Sequence, residues 1–265
     1  MRATTLTLVL LVSASTATAR TRPSPFKVDP WVDGSLLAVG LTLWITPALV
    51  VDGQVVQAPC DPCDPRRLNA LDRPVVQFHN EKADRAGDIL VALVPSIAVA
   101  GTLLRRKEWG WGGALEDATL IAEAMVLAGG LNQMVKFAVR RPRPFMYRAG
   151  ARPDLRDSAD ATISFYSGHS SAAFCAATAF AYTYSVRNPR SRLRPLVWVV
   201  ALLAASTVPV LRVAAGEHFW SDVMVGAAVG GGMGILVPAL HRRARLPGGA
   251  RLRVTPTWAG VEASF

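Results

Sequence analysis

No stretch of the 265-residue sequence spaces cysteines and histidines as a zinc finger does, no glycine-rich dinucleotide loop is present, and no segment repeats. Zinc-stabilised nucleic-acid modules, dinucleotide-dependent oxidoreductases and repeat architectures are thereby set aside. Acidic residues are also scarce, 19 against 29 Lys and Arg, which leaves a formal net charge of +10. Such an excess ordinarily raises nucleic acid as a partner. Here the basic residues cluster at the ends of apolar segments rather than on one polar face, so membrane flanks and an anionic substrate account for them better, and no nucleic-acid partner is expected. Cysteine is limited to three residues. Cys60-Asp61-Pro62-Cys63 has disulfide-like spacing and lacks the βαβ surroundings of a thioredoxin-type redox pair. Cys175, in an Ala-rich segment, reads as a buried free thiol.

Hydrophobic residues are abundant, at 51%. Residues 1–19 carry Arg2, an apolar stretch from Leu6 to Val12 and small residues ending at Ala19, the layout of a cleavable secretory signal, with an uncleaved anchor as the other reading. Export would bring Cys60 and Cys63 into an oxidising compartment, which predicts a bond between them. An extended, proline-containing lead-in follows to Pro30. Six apolar helix candidates come next, at 32–51, 89–104, 114–135, 170–184, 196–210 and 223–240, separated by a polar, turn-rich stretch at 52–87 and by shorter loops. In the last segment Gly226, Gly230, Gly231, Gly232 and Gly234 allow close helix contacts. The domain reading is a signal peptide at 1–19, a helical domain at 20–245 and a tail at 246–265, either short β-like structure or disordered.

Three motifs sit at the helix ends. Lys136 should close the third helix, and Arg143-Pro144 follows on the loop beyond it, so two cations converge from different directions. By itself this is also how a basic membrane anchor looks. Ser167-Gly168-His169 opens the fourth segment, where free N–H groups and a partial positive charge suit a phosphate; an N-cap serine with a turn glycine gives the same letters. His218 and Asp222, four apart, are expected on the first turns of the sixth helix, with the carboxylate holding the imidazole Nδ1–H and Arg212 reaching in from the preceding helix end.

Together, Lys136-x6-Arg143-Pro144, Ser167-Gly168-His169 and Arg212-x5-His218-x3-Asp222 resemble the signature of the type 2 phosphatidic acid phosphatase superfamily, which includes lipid phosphatases, bacterial acid phosphatases and vanadium haloperoxidases. The chain departs from it at Tyr166, where the family has proline, and at Leu211, where it has serine. The resemblance implies an all-α, six-helix core, membrane-embedded or membrane-associated, and a metal-independent phosphatase with no cofactor. It implies that His218 attacks phosphorus, Asp222 orients it, His169 protonates the leaving group, and Lys136, Arg143, Ser167, Gly168 and Arg212 bind the phosphate. The expected substrate is a phosphorylated lipid or polyprenyl pyrophosphate. A vanadate-dependent haloperoxidase and a non-catalytic lipid-phosphate binder are the alternatives. All three motifs open onto one end of the bundle, and Arg105-Arg106-Lys107, Arg187, Arg190, Arg192, Arg194, Arg242, Arg243 and Arg245 mark the other. The positive-inside rule then expects a bacterial envelope protein with its site facing the periplasm. A cleaved leader followed by six full spans would put the site inside, so the anchoring is left open.

Overall fold

The computed structural model describes residues 23–51, 60, 62–148, 150, 158–243, 251–255 and 258–262; the expected leader at 1–19 lies outside them. Six long helices carry the fold: α1 (Pro30–Val51), α2 (Glu81–Leu104), α3 (Arg106–Val139), α4 (Gly168–Arg187), α5 (Arg194–Ala214) and α6 (Trp220–Leu240). The expected six-helix core is present. The tail adds an antiparallel hairpin, β1 (Arg251–Thr255) with β2 (Trp258–Glu262), the first of the two forms expected for it.

The helices outrun the apolar segments because their ends are polar. Asn80 starts α2 by accepting the N–H groups of Lys82 and Ala83 on its side-chain oxygen, at 3.0 and 3.1 Å. The stretch expected to be turn-rich as far as Gly87 is therefore helical from Glu81 onward, and this places Asp84 and Asp88 on one helical face. α3 begins at Arg106, bends at Gly110 (φ 71°) and stops at Arg140, whose left-handed backbone (φ 48°) ends the helix one turn after Lys136.

α4 is the central helix, in contact with α2, α3, α5 and α6. Its residues are mostly Ala, Ser and Thr, small enough to let neighbours approach from several sides. α6 uses that freedom most. Gly226, Gly230 and Gly234, four apart on one face, lie against the backbone of Ser167, Ser171 and Cys175, where a Cβ would collide. Gly232 has open space instead and Gly231 leaves room for a Cβ in ordinary contact, so the packing stripe is three glycines rather than five. This contact draws the start of α4 alongside the start of α6.

Of the described helices, α2, α3, α5 and α6 are long and apolar enough to cross a membrane. Ile89, Leu93 and Ile97 on α2, with Val199, Leu203 and Val210 on α5, face outward, an apolar belt suited to lipid rather than water. The described part of the lead-in, 23–29, lies outside the helices and is pinned. Phe26 is buried, its backbone bridges Arg242, and Lys27 N–H donates to the carbonyl of His241 at 2.8 Å.

Candidate active site

The starts of α2, α4 and α6 and the ends of α3 and α5 meet at one end of the bundle. Beyond Arg140 the chain doubles back on itself, with Arg143 N–H donating to Ala161 O at 2.8 Å and Ser164 N–H to Arg141 O at 2.9 Å. The disulfide joining Cys60 and Cys63 braces this loop, because Cys63 N–H donates to Met146 O at 2.9 Å and Cys63 packs with Phe145 and Met146. Arg143 is nearly fully buried. Its Nε donates to Asp160 O at 2.9 Å and its Nη1 to Glu217 Oε2 at 2.5 Å.

The turn from α5 to α6 hooks back onto Arg212. Gly216 takes φ 76° with its Cα side against Phe78 O, a place no side chain fits, and the N–H groups of Glu217 and His218 both point at Arg212 O, at 3.1 and 3.4 Å. The Arg212 guanidinium bonds Asp84 at 2.6 Å and Asp88 at 3.0 Å, and lies 3.6 Å from the same Glu217 oxygen that Arg143 holds. Its buried Nε has no acceptor among the described residues.

His218 is fully buried and sits just before α6, not on its first turn as expected; Phe219 is the N-cap, and Asp222 Oδ2 accepts its N–H at 3.0 Å. The expected hydrogen bond from His218 to Asp222 is absent, because Nδ1 lies 3.7 Å from Oδ2, within ion-pair but not hydrogen-bond reach. Ser164 stands between them, donating to Asp222 Oδ2 at 2.6 Å and lying 3.4 Å from His218 Nδ1. Burial, with Arg143 and Lys136 acting the same way against Asp222, pushes the His218 pKa down to about 3, so the ring is neutral.

At the start of α4, Ser167 caps the helix through its Oγ, which accepts from Ser170 N–H at 3.4 Å and Ser170 Oγ at 3.2 Å; its own hydroxyl proton stays available. Gly168 lies so close to Asn132 Oδ1 that a Cβ would need that side chain to shift, while Asn132 Nδ2 donates to Tyr166 O at 2.7 Å. His169 reaches Asp88 Oδ1 at 2.9 Å. Burial, then Arg212, lower its pKa to about 4 against the pull of Asp88. Lys136 completes the group, within electrostatic reach of Arg143, Asp160, Arg212 and Asp222. Asp160 is held below the usual carboxylate range by Arg143. Every residue singled out from the sequence for this site therefore comes to the same end of the bundle.

Residues 117–246 match the family model described as the PAP2 superfamily. Over those residues the chain belongs to that superfamily. Over 155 residues it is 30% identical to the lipid A 1-phosphatase of Porphyromonas gingivalis, covering 58% of this chain and 29% of that protein. Over 141 residues it is 30% identical to phosphatidylglycerophosphatase B of Bacillus subtilis, covering 52% of this chain and 62% of that one. The chain thus spans less than two thirds of either relative. A crystal structure of a transmembrane PAP2-type phosphatidylglycerolphosphate phosphatase from Bacillus subtilis is similar at 23% identity and TM-score 0.47, covering 78% of this chain and 94% of that one.

Around this PAP2 core stand residues that sequence reasoning missed. Arg141 bonds Asp222 Oδ1 at 2.5 Å and buried Asp72 at 2.8 Å, its guanidinium 4.2 Å from the centre of the Phe219 ring. Asp72 also accepts from Ser221 and Asn69. Burial works against its ionisation, but these bonds outweigh it and hold its pKa low. Asp84 and Asp88 follow an Asn cap at four-residue spacing, a signal that was legible. Ser164 had none, since its contact with Asp222 crosses 58 residues.

Proposed function

We propose that this chain is a lipid-phosphate phosphatase that works through a phosphohistidine. One observation carries the reading: Arg143, from the loop after α3, and Arg212, from the last turn of α5, both buried, converge on a single carboxylate oxygen of Glu217, which is beside His218 in sequence, and Arg212 is joined through Asp88 to His169. Two guanidinium groups that meet on one anionic oxygen make a seat for an oxyanion. Lys136, the Ser167 hydroxyl and the Gly168 N–H supply the remaining donors.

With a phosphate in that seat, Glu217 gives way and the equatorial oxygens take the arginines. Neutral His218, its Nδ1 turned toward Ser164 and Asp222, presents the Nε2 lone pair to phosphorus. The N–P bond forms as the P–O bond to the leaving group breaks, and Asp222 offsets the charge that the ring gains. His169, neutral in the free site, is favoured in its protonated form by the incoming dianion and gives that proton to the departing oxygen. Water then attacks phosphorus, His169 takes its proton, and phosphate leaves. The fixed cations do the work of neutralising the transferring group, so the scheme routes no step through a metal.

The apolar faces of α2 and α5 lie next to Asp84, Asp88 and Arg212, which favours a substrate whose tail lies in the bilayer, a lipid phosphate monoester or a polyprenyl pyrophosphate. The names of both curated relatives fit this class. The arginines at the far end of the bundle, and the disulfide at the site end, support a site on the periplasmic side of a bacterial inner membrane. The test is phosphate release from phosphatidate, phosphatidylglycerol phosphate, undecaprenyl pyrophosphate and a soluble monoester. Faster turnover of one of the lipids is expected. Equal or better turnover of the soluble ester would overturn the lipid assignment, and release from none would overturn the enzyme reading.

A further inference from the structure

At the end of the bundle opposite this site, three ionisable side chains from different helices meet. Asp33 lies in the first turn of α1, Glu123 within α3, and His241 directly after α6; both carboxylates are buried. Nε2 of His241 stands 2.8 Å from Asp33 Oδ1 and 3.5 Å from Glu123 Oε2, and the three atoms lie within 4.8 Å of one another. We propose that these residues bind a divalent first-row transition-metal ion that ties the start of α1, the middle of α3 and the end of α6 together.

The tautomer is the first argument. His241 Nδ1 lies 2.8 Å from the carbonyl oxygen of Val237, and a carbonyl only accepts, so Nδ1 carries the hydrogen. In the neutral ring Nε2 then turns a lone pair toward two carboxylate oxygens, which repels unless something positive lies between them. An imidazole oriented through its other nitrogen by a backbone carbonyl is the arrangement in which metal-bound histidines are held. Charge is the second argument. Protonating the ring instead would balance only one of the two carboxylates. The charged neighbours that weigh most on Glu123 are His241 and Asp33. Arg187, the large cation of this end, is taken up by Asp117 and Glu116.

Hydrogen bonding is the third, independent argument. Asp33 Oδ2 is occupied by Asp29 N–H, which leaves Oδ1 for the cluster. Glu123 is 1% exposed, and its Oε2, the atom facing His241, has no hydrogen-bond partner among the described residues. A buried carboxylate oxygen aimed at a cluster without a donor wants a cation. The donor set selects which. One imidazole and two carboxylates suit zinc and its neighbours at about 2.0–2.2 Å from each ligand, whereas calcium takes six or more oxygens and magnesium an octahedron mostly of oxygen. The cluster closes onto such an ion with small shifts of side chains, and His241, at the helix end, provides the opening.

The experiment uses the full chain without a histidine tag, purified in detergent, stripped with chelator and exchanged into metal-free buffer. Zinc is returned in slight excess, unbound ion is removed by gel filtration, and bound metal is measured by mass spectrometry together with the melting temperature. About one zinc per chain and a higher melting temperature are expected for the wild type. Glu123→Gln and His241→Asn, checked for folding by circular dichroism, should retain little zinc and show no rise. Competition of the wild-type protein with a chromophoric chelator gives a second measure that depends on no variant. No zinc above a detergent blank, or equal retention by Glu123→Gln, would overturn the proposal. Activity is not the readout, so failure here leaves the phosphatase reading untouched. The Glu123→Gln protein is also the right one for asking whether catalysis survives chelation, since its far-end cluster is already broken.

Discussion

The two ends of the bundle bury ionic clusters of opposite balance. At the catalytic end the buried positive groups converge, Arg143 and Arg212 sharing Glu217 with Lys136 close by, while their other carboxylate partners, Asp84, Asp88 and Asp160, stand exposed to solvent. At the far end the carboxylates are in excess, Asp33 and Glu123 around one imidazole and Asp117 and Glu116 around one guanidinium. A buried charge is costly unless something compensates it, so the sign of the surplus tells which ligand each end is built to receive: an anion above, a cation below. The sharpest break of this comparison is at His218. His218→Ala should keep the helical fold and lower phosphate release by about a thousandfold or more, because the group that forms the covalent bond is gone. Activity near that of the wild type in a phosphate-release assay would mean that the positive end holds an anion without turning it over.

Next in size is the structural ion cluster of the catalytic end, where one guanidinium serves two carboxylates as Arg187 does at the far end. Arg141 is shared by Asp72 and Asp222, both fully buried, and removing it strands two carboxylates at once. Arg141→Ala should therefore cost about 3–5 kcal/mol, the usual penalty for breaking a buried pair. A thermal melt in detergent measures it. An unchanged melting temperature would show that buried charge in this bundle tolerates imbalance, and the inference drawn from both ends would lose its footing.

What the sequence made legible divides along the same line. The six helices and the charged residues at their catalytic ends were readable because apolar length and invariably charged groups leave a mark in the letters. The polar ends of helices escape hydropathy, which stops where lipid stops: the first two turns of α2, with Asp84 and Asp88 on them, are marked in the letters only by the Asn80 cap and the four-residue spacing. His218 was expected on α6 because His-x3-Asp spacing is helical, yet the same spacing is met by a residue just before the helix and one in its first turn. Ser164, Arg141 and Asp72 act through contacts across 58 to 81 residues, and no local pattern announces them. The far-end cluster was hidden for the same reason, since it joins Asp33 to His241 across 208 residues.

Glu217 is the residue on which the comparison is most finely poised. It is adjacent to His218, and one of its oxygens takes hydrogen bonds or ion-pair contacts from both arginines of the cradle. If the surplus of positive charge exists to receive phosphate, this carboxylate competes with substrate for the same donors. Glu217→Gln keeps the size and an acceptor oxygen but removes the negative charge. The apparent KM should then fall by about three- to tenfold, an effect of the order of ~1 kcal/mol, with kcat little changed. Inhibition by inorganic phosphate or vanadate should tighten in parallel, since product and mimic meet the same donors. If KM rises instead, Glu217 is holding Arg143 and Arg212 in place as Asp117 and Glu116 hold Arg187, and the carboxylates of the two ends do the same job.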